Sequence, residues 1–161
     1  MRALLQRVGR AAVRVDDETI ASIGPGLLVL LGVGHADSDA VADSLARRVT
    51  ELRIFEDDDG RTNRSILDVG GSALVVSQFT LYADTSRGRR PGFTDAAAPD
   101  AADRLYQRFA SALRSAGVSD VQTGRFGAEM AVELVNDGPF TIWLDTDRSP
   151  SGGRQPDASS G

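Results

Sequence analysis

The sequence predicts an α+β domain, a mainly antiparallel sheet with two helices. Three observations carry this. Short apolar or β-branched runs recur along the chain, punctuated by glycine, proline and aspartate, which is how strands are bounded. Two longer segments carry apolar residues at helical spacing. The longest apolar run, Leu27-Leu28-Val29-Leu30-Leu31, sits between glycines and suits a buried strand.

Taken in order, residues 1–8 read as a strand, 11–15 alternate weakly, and Asp16-Asp17 is a turn signal. Residues 18–23 return as a strand, so the opening reads as a meander, which Gly24-Pro25-Gly26 punctuates. Residues 27–33 form a central strand, followed by a loop at Gly34-His35-Ala36-Asp37. Ser38 or Asp39 caps a helix to about Leu52, with Val41, Leu45, Val49 and Leu52 on one face. Residues 53–55 are strand-like, and Asp57-Asp58-Asp59-Gly60 is a solvated hairpin tip. A calcium loop there would need ligands spread over about twelve residues and a distal glutamate. Residues 65–69 form one helical turn, and 73–81 a strand. Residues 84–94 have the composition of a mobile, arginine- and glycine-rich loop. The second helix runs over 99–116, with Leu105, Phe109, Ala112 and Leu113 as its stripe and Gly117 as its stop. The last strands are 121–123, 128–135 and 140–144. A single domain over 1–146 is expected, with a Ser/Gly/Pro-rich tail over 147–161 that has no core to bury and is expected to be disordered.

Composition narrows the function. With 161 residues the chain can bury a core without staples, and its 41% apolar and 25% charged residues are ordinary for a soluble protein. Absence of cysteine excludes disulfides and thiolate chemistry, and a single histidine excludes a multi-His metal site, so neither metal nor cofactor is expected. No apolar run approaches the ~20 residues of a membrane span. Arg2 is not followed by a long apolar region with a cleavage site, so a cytoplasmic location is expected. A net charge of −5 argues against bulk nucleic-acid binding. Yet all 18 basic residues are arginine. That is either a compositional bias or a preference for forked contacts to phosphate. The three arginines Arg87, Arg89 and Arg90 likewise read either as a solvated loop or as a polyanion contact.

Two stretches stand out chemically. Ser77-Gln78-Phe79-Thr80-Leu81 ends a buried strand with a hydroxyl, an amide, a ring and a second hydroxyl in a row. Asn136-Asp137-Gly138-Pro139-Phe140-Thr141 places Gly-Pro between two strand-like runs, where proline makes a tight turn or a cis bond. No phosphate-binding loop and no Gly-x-Ser-x-Gly elbow accompany them. His35 is the only imidazole; a triad of Ser77 with His35 has the composition but not the spacing. Glu129 and Glu133 share a strand face that points to solvent. The side chains therefore offer no obvious general base. Either a binding module or an enzyme relying on backbone N–H groups and its own substrate remains.

These residues resemble the D-aminoacyl-tRNA deacylases of the D-tyrosyl-tRNA deacylase type. Residues 1–8, 26–33, 53–55 and 123–130 resemble that family too, so the likeness covers about residues 1–145 in the family's order. It implies a barrel-like deacylase fold. It implies hydrolysis of the ester that joins a D-amino acid to the terminal adenosine of tRNA, and removal of glycine mischarged on alanine tRNA. It implies a homodimer with each site at the subunit interface, and aminoacyl-tRNA, by its 3′ end, as the partner. Gly138 and Pro139 would be joined by a cis bond, enter the other subunit's site and reject L-residues by clash. Arg7 would brace that motif. Gln78, Phe79 and Thr80 would be catalytic, with the Phe79 N–H facing the oxyanion, and Ser77 would help bind substrate. The terminal 2′-hydroxyl would activate the water; a Thr80 nucleophile without a base is weak. The Phe at position 140 departs from the smaller aliphatic residue common there. The alternative is a non-catalytic tRNA-binding dimer that retains the fold.

Overall fold

The computed structural model describes residues 1–148; the expected tail falls mostly beyond them. Its centre is one long strand, β1 (Arg2–Val15), which pairs antiparallel with β2 (Glu18–Ile23), β3 (Gly26–Gly32) and, along its other edge, β8 (Ala131–Asp145). Beyond β3 the sheet continues through β6 (Ser72–Ser77) to β7 (Val121–Thr123), both added in parallel. The result is a mixed, barrel-like sheet in the order β2-β1-β3-β6-β7, with β8 on β1. A small hairpin, β4 (Phe55–Glu56) and β5 (Thr62–Arg64), carries the acidic tip at Asp57-Asp58-Asp59.

The continuous apolar run of β3 has a simple cause: the sheet is covered on both faces. Leu27, Val29 and Leu31, with Ala73 and Val75 of β6, face the helices. Leu28, Leu74 and Val76 face the opposite way, against Val8, Val13, Ala21 and Ile23 of β1 and β2. Helix α1 (Asp39–Glu51) starts at Ser38, whose hydroxyl accepts the Val41 N–H, and buries Ala42, Leu45, Ala46 and Val49. Helix α2 (Pro99–Ser115) opens with proline at its first turn, where the missing N–H does no harm. It buries Leu105, Tyr106, Phe109, Ala110 and Leu113. Gly117 then takes a φ of 109°, which ends the helix. The two helices are clasped by a two-pronged Arg108–Asp43 pair, with Nε–Oδ1 at 2.7 Å and Nη2–Oδ2 at 2.6 Å, and by Arg104–Asp39.

Three expected boundaries are corrected. Residues 1–8 and 11–15 are one strand, because irregular pairing at Val8 lets β1 change faces without ending. The strands expected over 128–135 and 140–144 are likewise one strand, which starts only at Ala131; its pairing skips from Asn136 to Thr141 and resumes. The strand expected over 73–81 stops at Ser77, and Phe79–Tyr82 form a short 3₁₀ turn.

Candidate active site

The carboxyl end of β6 builds the pocket floor. The Gln78 N–H donates to the Leu31 carbonyl at 2.8 Å, extending the parallel ladder one residue past Ser77. The chain then turns, held by Leu81 N–H to Gln78 carbonyl and Ala83 N–H to Thr80 carbonyl. Gly32 lets this turn settle on β3: a Cβ there would sit 3.1 Å from the Gln78 carbonyl and 3.2 Å from the Tyr82 ring. Phe79 and Thr80 are the first residues of the turn, so their N–H groups have no acceptor within it. The Phe79 side chain is 55% exposed, unusual for a phenyl ring beside a core. Thr80 is exposed, and its hydroxyl accepts from the Gln78 side-chain amide.

Cavities flank Phe79 on both sides. One, of about 390 Å³, is lined by Phe79, Phe93, Ala97, Pro99 and Phe126 and is almost wholly apolar. Phe93 meets Phe79 edge-on, with centroids 4.9 Å apart and planes at 70°. The other, of about 270 Å³, lies over Ser77 and Gln78 and is closed by Gly127, Met130 and Val132. Phe93 and Phe126 were not singled out from the sequence. Phe93 lay at the end of a loop that its arginines dominate, and only the bridge pairing Asp84 with Gly92 turns it back onto Phe79.

The Gly138-Pro139 stretch is a wide bulge in β8. Gln6 pairs with Thr141 and Val8 with Asn136, so Arg7 alone stands opposite residues 137–140. The Gly138–Pro139 bond is cis, and Gly138 has a φ of 134°, which only glycine adopts readily. Arg7 is buried beneath. Its Nε donates to the Asp137 carbonyl at 3.0 Å, its Nη1 to the Ile54 carbonyl at 2.7 Å, and its guanidinium lies 4.8 Å from the Phe140 ring centre. A buried guanidinium so satisfied is a rigid brace. Within one chain, neither Gly138 nor Pro139 lines either cavity beside Phe79.

Among the described residues, no side-chain base lines the floor. His35 contacts the Thr94 carbonyl and lines a separate cavity with Asp37, Tyr82 and Asp95, apart from Ser77. Glu129 precedes β8, and Glu133 pairs with Arg14 at 3.4 Å, so the expected carboxylate pair does not share a strand. Among the described residues no cluster of three or more His, Cys, Asp or Glu is arranged to hold a metal, and no helix is long and apolar enough to cross a membrane.

Comparison with known proteins identifies the family. The family model described as D-Tyr-tRNA(Tyr) deacylase matches residues 4–145. A D-aminoacyl-tRNA deacylase of Roseiflexus sp. (strain RS-1) is 62% identical over 146 residues, 91% of this chain and 94% of that one. The protein of the same name from Dinoroseobacter shibae is 61% identical over 90% of this chain and 99% of its own. A solved structure titled c-Myc DNA Unwinding Element Binding Protein superposes with a TM-score of 0.86 at 38% identity, covering 91% of this chain and 99% of that one. Another, titled as a probable eukaryotic D-amino acid tRNA deacylase, has a TM-score of 0.76 at 21% identity, covering 89% and 97%, and supports the fold. Fold and family match therefore define a hydrolase of the aminoacyl-tRNA editing class. The chain belongs to the D-aminoacyl-tRNA deacylase family.

Proposed function

We propose that this protein clears D-amino acids, and glycine mischarged on alanine tRNA, from the tRNA 3′ end by an RNA-assisted hydrolysis. The observation that carries this is a floor with donors but no base. Among the described residues the Thr80 hydroxyl is hydrogen-bonded to the Gln78 amide and to no base, and His35 is engaged elsewhere. A developing oxyanion is met by the Phe79 N–H, while the terminal ribose 2′-hydroxyl, next to the ester, orients and activates the attacking water. The apolar cavity between Phe79, Phe93 and Phe126 suits a purine face, since aromatic rings accept a base without reading its edges. Ser77 and Gln78 then line the aminoacyl side.

Selectivity is assigned to Gly138 and Pro139 of the other subunit, whose carbonyls crowd the side of Cα where an L-residue carries its side chain. Glycine passes because it has none. The position of the motif supports a shared site, for it stands on a bulge away from its own chain's cavities. So does β8, which among the described residues is paired on one edge only and exposes Val135 at 45% and Trp143 at 44%. A homodimer covers such a strand. As charged tRNA is the substrate, the protein works in the cytoplasm.

The test is hydrolysis of D-tyrosyl-tRNA against L-tyrosyl-tRNA. Fast release from D with L spared is expected; equal rates, or none on D, sink the reading. A second reading, a non-catalytic nucleic-acid-binding dimer, is favoured only by the DNA-binding title of one structural relative. It predicts tRNA binding with no turnover.

A further inference from the structure

The bulge of β8 has a second brace besides Arg7. The Phe140 N–H donates to Asn136 Oδ1 at 2.7 Å, closing the neck of the excursion over residues 137–140. That bond also orients the amide, because a backbone N–H can only donate. Asn136 Nδ2 therefore faces outward from it, donating to Gln6 Oε1 at 3.0 Å and to Thr141 Oγ1 at 3.2 Å. Gln6 lies on β1 next to Arg7, and Thr141 is where pairing with β1 resumes. One side chain thus ties both ends of the bulge to each other and to the neighbouring strand.

We propose that Asn136 is a positioning residue for stereochemical selection: it holds the Gly138 and Pro139 carbonyls at the depth where they exclude an L side chain. This rests on the rejecting role given above to that motif. A steric wall must be held to within about 0.5 Å to work, because a small retreat removes the clash. Arg7 fixes the Asp137 end through that residue's carbonyl. The Phe140 end has its backbone N–H tied by Asn136. A D-residue, pointing its side chain away from the wall, does not depend on this tie. Loosening the neck therefore separates two rates that ordinary destabilisation would lower together.

The experiment compares D- and L-tyrosyl-tRNA hydrolysis in the full-length protein and its variants. Asn136→Leu, close in size but unable to accept or donate, is expected to raise kcat/KM on L-tyrosyl-tRNA by at least about tenfold, with the D rate held within about threefold. Asn136→Asp keeps the acceptor for the Phe140 N–H, and the Gln6 amide turns over to donate to it, so the wild-type D/L ratio is expected to return. If Asn136→Leu fails to fold, Asn136→Ser, too short to span the neck, carries the same expectation. Wild-type selectivity in both Asn136→Leu and Asn136→Ser, or equal losses on D and L, overturns the role of Asn136 alone. If the wild-type protein itself cleaves L as fast as D, the rejecting role of Gly138-Pro139 falls and this inference with it.

Discussion

Thr80 is the residue on which reaction mechanism turns. A hydroxyl donated to by an amide and lacking an imidazole or carboxylate neighbour gains no nucleophilicity. Thr80→Ala is therefore expected to keep D-tyrosyl-tRNA hydrolysis within about tenfold of wild type, whereas tRNA ending in 2′-deoxyadenosine loses at least about a hundredfold. Single-turnover rates on both substrates decide it, and the opposite pattern makes Thr80 the nucleophile. At this scale the sequence was legible where function left an oddity. Four residues of mixed chemistry at the end of a buried run announce Ser77 to Thr80. The Asn136 network left no such trace, because Gln6 and Asn136 are neighbours only through the register of two strands far apart in sequence. Phe93 and Phe126 were hidden for the same reason: an aromatic residue in a loop looks alike whether it lines a cavity or covers a core.

Elements were legible in kind and less so in extent. Both helices lie where their spacing and caps put them, since a 3.6-residue period and a serine or proline start are local signals. The long strands were read as broken because glycines and polar residues interrupt them, yet β1 and β8 bridge those interruptions by bulging against each other. The fit of α2 on the sheet gives a prediction about pH. Tyr106 is fully buried and donates to the Val75 and Gly124 carbonyls at 3.0 and 3.3 Å. Burial pushes its phenol up to about 12. A raised pKa means that the folded state holds the proton more tightly. This contribution is whole below the unfolded value near 10 and fades as pH climbs towards 12. Burial raises Tyr82 in the same direction. Urea midpoints are expected to fall above about pH 10, and Tyr106→Phe to shallow that fall while costing about 1 kcal/mol at neutral pH. A fall of the same steepness in the variant would acquit Tyr106. The arginine loop yields another test. It leaves the turn after Phe79 and returns at Phe93, and among the described residues Arg87, Arg89 and Arg90 make no ion pair with a protein carboxylate. Replacing all three by Gln is expected to weaken tRNA binding and to flatten log K against log salt by up to about 2 units, at about 0.7 per phosphate contact. An unaltered slope would make the loop merely solvated.

At the scale of the molecule, the proposed enzyme takes its wall from a second copy of the chain. Its pocket floor and its wall are both present, but the wall does not line the cavities over the floor. No local pattern in a sequence announces a site split between copies; only the family likeness suggested it, and the separation of the two motifs is what a split site requires. Complementation can read this out. Take a chain whose floor is crippled by Phe79→Ala together with Gln78→Ala but whose wall is intact. Take a second whose floor is intact but whose wall is blunted by Pro139→Ala. The second alone is expected to cleave both D- and L-tyrosyl-tRNA, and the first neither. Co-expressed with the first in excess, nearly every good floor faces a good wall across the interface, so L cleavage per wild-type floor collapses while D cleavage persists. If each wall served its own floor, mixing would leave the L rate per intact floor where it was. That outcome would return selection to a single chain and leave the exposed Val135 and Trp143 without a role in catalysis.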